Sequence, residues 1–398
     1  MEPSSLSLPR IRLKPKADAR RIRWGAPWVE GRDLVLDRRT RALDPGTIGV
    51  LEDAARAPLG VVAIAPEARI AARMLDADPS AVIDARWIAD RLGRALALRQ
   101  WLFDAPYYRL VNAEADGLPG VIVDRFGDCA VVQPNAAWAE RLLPEIVTAL
   151  QEVAGCSTVL KNASGRTRAL EGLDDRNAVL AGRAPEAPVP VPMNGATYLA
   201  DLTSGQKTGL FYDQRPNHAF VAGLSRGRRV LDVFSHVGGF ALAALAAGAE
   251  SALAIDGSQA ALDLAQGGAA AMGVADRFDI RQGDAFDVLA DLSGAVFDVV
   301  VCDPPAFAPT KQAAAAGLRA YERVARLAAE LVAEGGILCL CSCSHAADLK
   351  SFSAASVRGM GRAGRQGRLL HTGFAGPDHP VHPVLSETGY LKAQVWRL

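Results

Sequence analysis

Arg229–Gly248, RVLDVFSHVGGFALAALAAG, constrains this chain more than any other stretch. A short apolar run from Val230 to Phe234 leads into a Ser-His-Val-Gly-Gly turn, and an alanine-rich helical pattern follows. Strand, glycine turn and helix together open a nucleotide-binding α/β unit. Gly238 and Gly239 let backbone approach a ligand closely and take dihedrals that other residues resist. Tight strand–helix packing is the competing reading of the glycine pair. The next apolar run, Ala252–Ile255, ends in Asp256, about where a ribose-binding carboxylate belongs. The G-x-G-x-x-G phosphate fingerprint is absent, which suits a nucleoside cofactor without pyrophosphate, such as S-adenosylmethionine, better than NAD.

From Asn194 onward the pattern is regular α/β. Strands are predicted at 230–234, 252–256, 278–282, 297–302 and 337–341, with helices at 239–247, 258–272, 313–333 and 346–358. The strands are rich in Val, Ile and Leu without alternation, as in a parallel sheet covered on both faces. Two tail runs, 368–374 and 390–397, read as an antiparallel pair that closes a seven-stranded sheet. Upstream, residues 1–75 form a small β-rich module, with runs at 33–36, 47–51, 59–64 and 70–75 separated by Gly, Pro and Asp. Residues 76–190 form an α+β region: a helix over 80–98, a hairpin around Asp116–Gly120, a third strand at 130–133 and a helix near 137–154. The four prolines of Arg183–Pro192 exclude a central strand or a helix there, so a linker is expected before a third domain at 191–398.

Lys plus Arg and Asp plus Glu number 44 each, so net charge does not point to a polyanionic partner. The local distribution does. Between Arg10 and Arg41 basic residues far outnumber acids, and Arg20–Trp28 interleaves guanidinium groups with two indoles. That mixture suits RNA, with rings for bases and arginines for phosphates. Lys14, Arg23 and Trp28 are the candidate contacts; a solvated basic face and a half-buried tryptophan pair are the plainer readings. No apolar run reaches the roughly eighteen residues of a membrane span, and the N-terminus lacks an apolar signal core. The spacing of the six cysteines builds neither a disulfide framework nor a zinc site. No metal is expected, and a reducing cytoplasm is the simplest setting.

Ligands of open α/β sheets lie beyond the carboxyl ends of the strands. Here those ends carry Asp232 and Ser235, Asp256, Gln282-Gly-Asp284 and Cys302-Asp-Pro-Pro305. Asp256 can accept both ribose hydroxyls and Asp284 can face an adenine amino group, although capping the next helix is an alternative for Asp284. The rigid Asp303-Pro-Pro-Ala-Phe307 loop can hold a carboxylate against a planar base. Cys343, flanked by serines past the end of Ile337–Cys341, is placed to be a thiolate nucleophile. Cys302, Cys339 and Cys341 read as buried thiols. Gly205-Gln-Lys-Thr-Gly-Leu-Phe-Tyr-Asp-Gln-Arg215 reads as a lid over cofactor and base, with Lys207, Asp213, Gln214 and Arg215 as its polar groups.

The ordered segments SGQKTGLFYDQR, LDVFSHVGGF, VVVCDPPAFAPTK and GGILCLCSCS, with YRLVNAEADGLPGVIVDRFG and the tail DHPV…GYLKA, resemble the bacterial 23S ribosomal RNA large-subunit 5-methylcytosine methyltransferase I family across nearly the whole chain. Ala306, His236 and His345 depart from the family's pattern. The resemblance implies an N-terminal PUA-like RNA-binding domain, a central β-rich domain and a Rossmann-like methyltransferase domain. It implies S-adenosylmethionine as cofactor and ribosomal RNA as partner, with a homodimer left open. On this reading Cys343 and Asp303 are catalytic, Cys343 adding to cytosine C6. Phe234, Ser235, Gly238, Gly239, Asp256, Asp284, Ala285, Gln214 and Arg215 hold the cofactor. N-methylation of adenine or guanine, and a non-catalytic RNA-binding assembly factor, stand as alternatives.

Overall fold

A computed structural model describes residues 8–203 and 209–398, apart from the side chains of Arg166 and Thr167. The described residues divide into two compact units: residues 8–185 with 380–386, and residues 186–203 with 209–379 and 387–398.

The first unit contains two five-stranded sheets. The N-terminal sheet comprises β1 (Arg10–Arg12), β2 (Trp28–Glu30), β3 (Thr47–Glu52), β4 (Pro58–Ile64) and β5 (Ile70–Asp76), in the order β1-β3-β4-β5-β2. Short helices α1 (Ala19–Arg23) and α2 (Arg38–Arg41) connect them. The run at 33–36 is not a strand: Gly31–Asp33 is a 3-10 turn, and Leu34 makes only an isolated bridge to Leu13. Helix α3 (Ala85–Leu102) starts later than its apolar pattern suggests, because Asp84 caps it by accepting from Trp87 N at 2.9 Å.

The second sheet comprises β6 (Tyr107–Asn112), β7 (Val121–Phe126), β8 (Cys129–Pro134), β9 (Thr158–Lys161) and β10 (Ala178–Ala181), ordered β10-β9-β8-β7-β6. Helices α4 (Ala137–Arg141), α5 (Leu143–Glu152) and α6 (Arg166–Ala169) lie between its later strands in sequence. Its core includes Leu92, Leu110, Val123, Trp138 and Leu150. Among the ion pairs of this unit, the fully buried Arg99 guanidinium, on α3, donates to both carboxylate oxygens of Asp116 at 2.7 Å.

In the second unit the proline-rich segment does not remain a linker throughout. Val189–Met193 is a strand, β11, antiparallel to β12 (Ala196–Ala200) in a two-stranded ribbon. Pro190 and Pro192 face solvent while Val191 and Met193 are buried. An edge strand can place its missing donors outward, which is why prolines that forbid a central strand permit this one.

Helix α7 (Arg215–Gly223) precedes β13 (Arg229–Val233), α8 (Gly239–Ala246), β14 (Ser251–Asp256), α9 (Gln259–Ala271), β15 (Phe278–Gln282), α10 (Ala285–Asp291), β16 (Phe297–Cys302), α11 (Ala314–Glu330), β17 (Val332–Ser342), α12 (Leu349–Arg362), β18 (Arg368–Gly373) and β19 (Lys392–Arg397). The seven strands are ordered β15-β14-β13-β16-β17-β19-β18. The first five are parallel, and β19 runs antiparallel to both β17 and β18. The order reverses between β13 and β16, the switch point at which such sheets bind ligands. The mixed α/β class and the seven-stranded closure agree with the sequence reading. Helix α10, only seven residues long, has too short an apolar pattern to stand out in sequence.

Because the Arg99 guanidinium is fully buried, Arg99→Met leaves the Asp116 carboxylate without its counter-charge. The expected loss is about 3–5 kcal/mol, measured by urea denaturation. Adding Asp116→Asn should recover a large part of it.

Candidate active site

Hydrogen bonds tie the carboxyl ends of the five parallel strands into a row. Gly283 N donates to Asp256 O (3.1 Å), Ser235 N to Ile255 O (3.0 Å) and Asp303 N to Val233 O (3.1 Å). Ala308 N donates to Ser344 Oγ at 2.9 Å, joining the loop after β16 to the loop after β17. The predicted strand-end residues from 235 to 343 thus line one edge.

The turn after β13 is strained. Phe234 and His236 have φ of 63° and 50°, and Gly238 follows at 79°. Non-glycine residues held in this region cost roughly 1–3 kcal/mol each and persist where the surroundings over-determine them. Asp256 supplies part of that determination: its Oδ2 accepts from His236 N and its Oδ1 from Ser258 N, both at 2.8 Å. Each oxygen retains a lone pair for a ligand hydroxyl.

Asp232 caps α8 from below the turn. Its Oδ2 accepts from Phe240 N (3.1 Å) and Ala241 N (2.9 Å). Burial pushes its carboxyl up to about 7, against the lowering effect of those two amides. Asp232 Oδ1 and Ser235 Oγ are buried and have no hydrogen-bond partner among the described residues. Buried polar atoms normally find partners, so these two fit a polar ligand beside the turn.

The other expected cofactor contacts vary. Glycine at 239 is a packing requirement, since a Cβ there would lie 2.8 Å from His218 Nε2. Asp284 caps α10, its Oδ1 accepting from Phe286 N at 2.9 Å and Asp287 N at 3.3 Å. It is exposed, and Ala285 behind it is buried. Gln214 is buried, accepts from Asn217 Nδ2 at 2.6 Å and lies beside the Cys341 thiol. Arg215 begins α7 and stacks over Tyr212, 5.4 Å from the ring centre.

The thiols separate by position. Five cysteines are buried and Cys343 is half-buried. Cys343 Sγ lies 3.9 Å from Pro304 O, so it touches the Asp-Pro-Pro loop directly. Burial pushes the Cys302 thiol well up; a hydrogen bond with Cys339, then burial, does the same to Cys341. Phe307, in the same loop, packs on Tyr321 (5.0 Å between ring centres), Phe286 (6.0 Å) and Phe234 (6.2 Å). The sequence marks Phe307 only as part of the rigid loop; its ring partners come from three other segments and carry no local signal.

On the N-terminal sheet Lys14 is exposed and donates to Arg32 O at 2.7 Å, while exposed Arg23 pairs with Asp53 at 2.7 Å. Trp28 is not the available indole. Its Nε1 donates to Glu114 at 2.7 Å, and the Arg73 guanidinium lies 5.9 Å from its ring. The free ring is Trp24, 73% exposed at the end of α1 beside exposed Arg20 and Arg21. Position 24 ends a helix of only five residues, too short for periodicity to separate the two tryptophans. Lys207 lies outside the described residues.

Residues 152–356 match the S-adenosylmethionine-dependent methyltransferase family, and residues 11–77 a PUA-like domain. The fold is similar to a methyltransferase structure solved in complex with SAH, with a TM-score of 0.83, 19% identity and coverage of 98% of this chain and 100% of that one. A second similar structure, a SAM-dependent methyltransferase from Streptococcus mutans, has a TM-score of 0.81, again at 19% identity, covering 98% and 100% of the two chains. A fold built around the β13 turn and this family match define an S-adenosylmethionine-dependent methyltransferase.

Among curated relatives, ribosomal RNA large subunit methyltransferase I of Shewanella denitrificans is 34% identical over 399 residues, covering 97% of this chain and 99% of its own. That of Shigella flexneri is 33% identical over 342 residues, covering 84% and 86%. The chain belongs to the ribosomal RNA large subunit methyltransferase I family. No helix among the described residues is long and apolar enough to cross a membrane.

Because Asp232 holds its proton more tightly folded than unfolded, it favours the folded state most below its ordinary value of 3.8, and that stability is lost as pH rises toward about 7. Buried His218 acts oppositely: its ring is pushed down to about 3, so stability falls as pH drops below 6.5. Asp232→Asn removes only the first effect. Its melting temperature relative to wild type should rise between pH 4 and pH 7; an unchanged difference across that range rules out the buried-acid assignment.

Proposed function

We propose that this chain methylates C5 of a cytosine in 23S ribosomal RNA through a covalent bond between Cys343 and C6. The observation that carries this reading is the thiol itself: Cys343 is the one half-buried cysteine of the six, and it contacts the loop that bears Asp303. The name shared by the relatives supports RNA of the large subunit as the substrate.

Cytosine C5 is too weak a nucleophile to take a methyl group unaided. Addition of the Cys343 thiolate forms an S–C6 bond and moves the C5=C6 electron pair to C5. Asp303 hydrogen-bonds the N3 and amino edge and stabilises the adduct. S-adenosylmethionine supplies the electrophilic methyl group when bound. Loss of the C5 proton then restores the double bond and expels the Cys343 thiolate.

The residues of the turn fit the nucleoside part of that cofactor. Asp256 takes the ribose hydroxyls, Asp284 keeps Oδ2 for the adenine amino group, and Ser235 with the backbone at Phe234, Gly238 and Ala285 lines the pocket. Gln214 and Arg215 bound it from the α7 side. The target base must leave its stack to enter. Residues 1–75 and 76–190 are assigned to holding RNA, with Lys14, Arg23 and Trp24 on the basic face, and residues 191–398 to the chemistry. A ribosomal RNA substrate supports the cytoplasmic setting expected from the sequence.

Cys343→Ala should reduce methylation below detection while leaving S-adenosylmethionine affinity within about twofold by calorimetry. RNA carrying 5-fluorocytidine at the target should form a denaturant-stable adduct with wild type and none with this variant. Full turnover by Cys343→Ala refutes covalent catalysis, and turnover without an adduct favours methylation of an exocyclic nitrogen.

Stacking on an aromatic ring contributes about 1–3 kcal/mol per base. Trp24→Ala should therefore weaken RNA binding by roughly five- to a hundredfold in fluorescence anisotropy. Equal binding by the variant would remove Trp24 from the interface.

A further inference from the structure

The backbone on both sides of Cys343 is held by two side chains remote in sequence. Ser342 and Ser344, its neighbours, both hydrogen-bond the Tyr321 hydroxyl, at 2.9 and 2.7 Å. Ser344 Oγ also accepts from Ala308 N at 2.9 Å, so one tyrosine on α11 ties the thiol-bearing turn to the loop that follows Asp303. All three side chains are buried. Tyr321 is itself wedged between Phe307 and Phe352, at 5.0 and 5.1 Å between ring centres.

The second side chain is Lys392, which pairs with Ser342 in the antiparallel β17–β19 register. Its ammonium is buried and donates to Ser344 O at 2.7 Å and Ala347 O at 2.8 Å, the carbonyls of the turn just past Cys343. Two carbonyls satisfy two of its three donors. A lysine that only crosslinked a turn could be replaced by a neutral donor, and burying its charge is costly unless something compensates.

We propose that Tyr321 and Lys392 are positioning residues for Cys343: the tyrosine hydroxyl fixes the thiol's backbone against the Asp303 loop, and the lysine ammonium both closes the following turn and stabilises the thiolate. This rests on Cys343 as the nucleophile. Among the described residues, charged and titratable groups on the elements that flank the thiol include Lys392 from β19, Tyr321 from α11 and Asp303 from the loop after β16. His345, on the thiol's own loop, is exposed, and Asp348 acts on Lys392 from the start of α12. Burial pushes the Lys392 ammonium down, and Cys343, then Asp348, pull it back up.

The test is the pH dependence of Cys343 alkylation by iodoacetamide in the full-length protein, with Cys343→Ala as the blank, beside methylation kinetics. Lys392→Met should move the alkylation midpoint up by about one pH unit, and Lys392→Arg should leave it near wild type. Tyr321→Phe keeps the ring and should leave the midpoint in place while lowering kcat tenfold or more at unchanged KM for the methyl donor. Should Lys392→Met fail to fold, Lys392→Gln gives the same reading. Equal midpoints for wild type, Lys392→Met and Lys392→Arg, or an unchanged kcat in Tyr321→Phe, overturn the proposal. The alkylation arm does not require methylation, so a shifted midpoint in a protein that forms no RNA adduct would reject the nucleophile and not the lysine–thiol contact.

Discussion

The left-handed turn after β13 is the constraint on which the rest of the methyltransferase unit depends. Two non-glycine residues within three hold positive φ there, a conformation that local sequence would not choose. It persists because Asp256 accepts from the His236 amide, Asp232 gathers the first amides of α8, and Ser235 N is bound to Ile255 O. The strain is thus balanced by two acids on adjacent strands, one of them buried. The same arrangement leaves Asp232 Oδ1 and Ser235 Oγ without a described partner, and it opens the switch point of the sheet toward a nucleoside.

The cysteines show how burial sorts identical groups. Cys339, Cys341 and Cys343 alternate along one run, yet the first two are sealed and only the third stands past the last strand residue, Ser342. Raised thiols at 302 and 341 are poor nucleophiles at neutral pH. The difference lies in the end of β17: two serines turn inward to one tyrosine hydroxyl, and the residue between them is left at the mouth. The serines flanking Cys343 are therefore the anchors that determine where its sulfur sits.

In the N-terminal sheet the basic residues lie where a phosphate backbone could reach them, but the indoles divide the work. Trp28 is spent within its own unit, on Glu114 and beneath Arg73, and Trp24 is exposed among arginines. Residue type and local charge mark the segment as a candidate RNA surface; which ring faces solvent depends on Glu114, more than eighty residues away.

The sequence by itself determined the seven-stranded α/β unit, because parallel strands buried on both faces write continuous apolar runs, and it placed Asp256, Asp303 and Cys343 at strand ends. It determined the family as well, through long motifs in fixed order. Only the tertiary structure decided that Asp284 caps a helix, that glycine at 239 makes room for His218, and that Val189–Met193 pairs as an edge strand despite its prolines. It also decided that Tyr321 and Lys392 grip the thiol's turn. The Asp284 cap and the β11–β12 pairing join near neighbours in the chain, whereas His218 with Gly239, and Tyr321 and Lys392 with the thiol's turn, meet across longer separations, set by which strands become neighbours and by how closely helices pack. Periodicity and composition describe a residue's own segment and carry no record of the partner that folding brings to it.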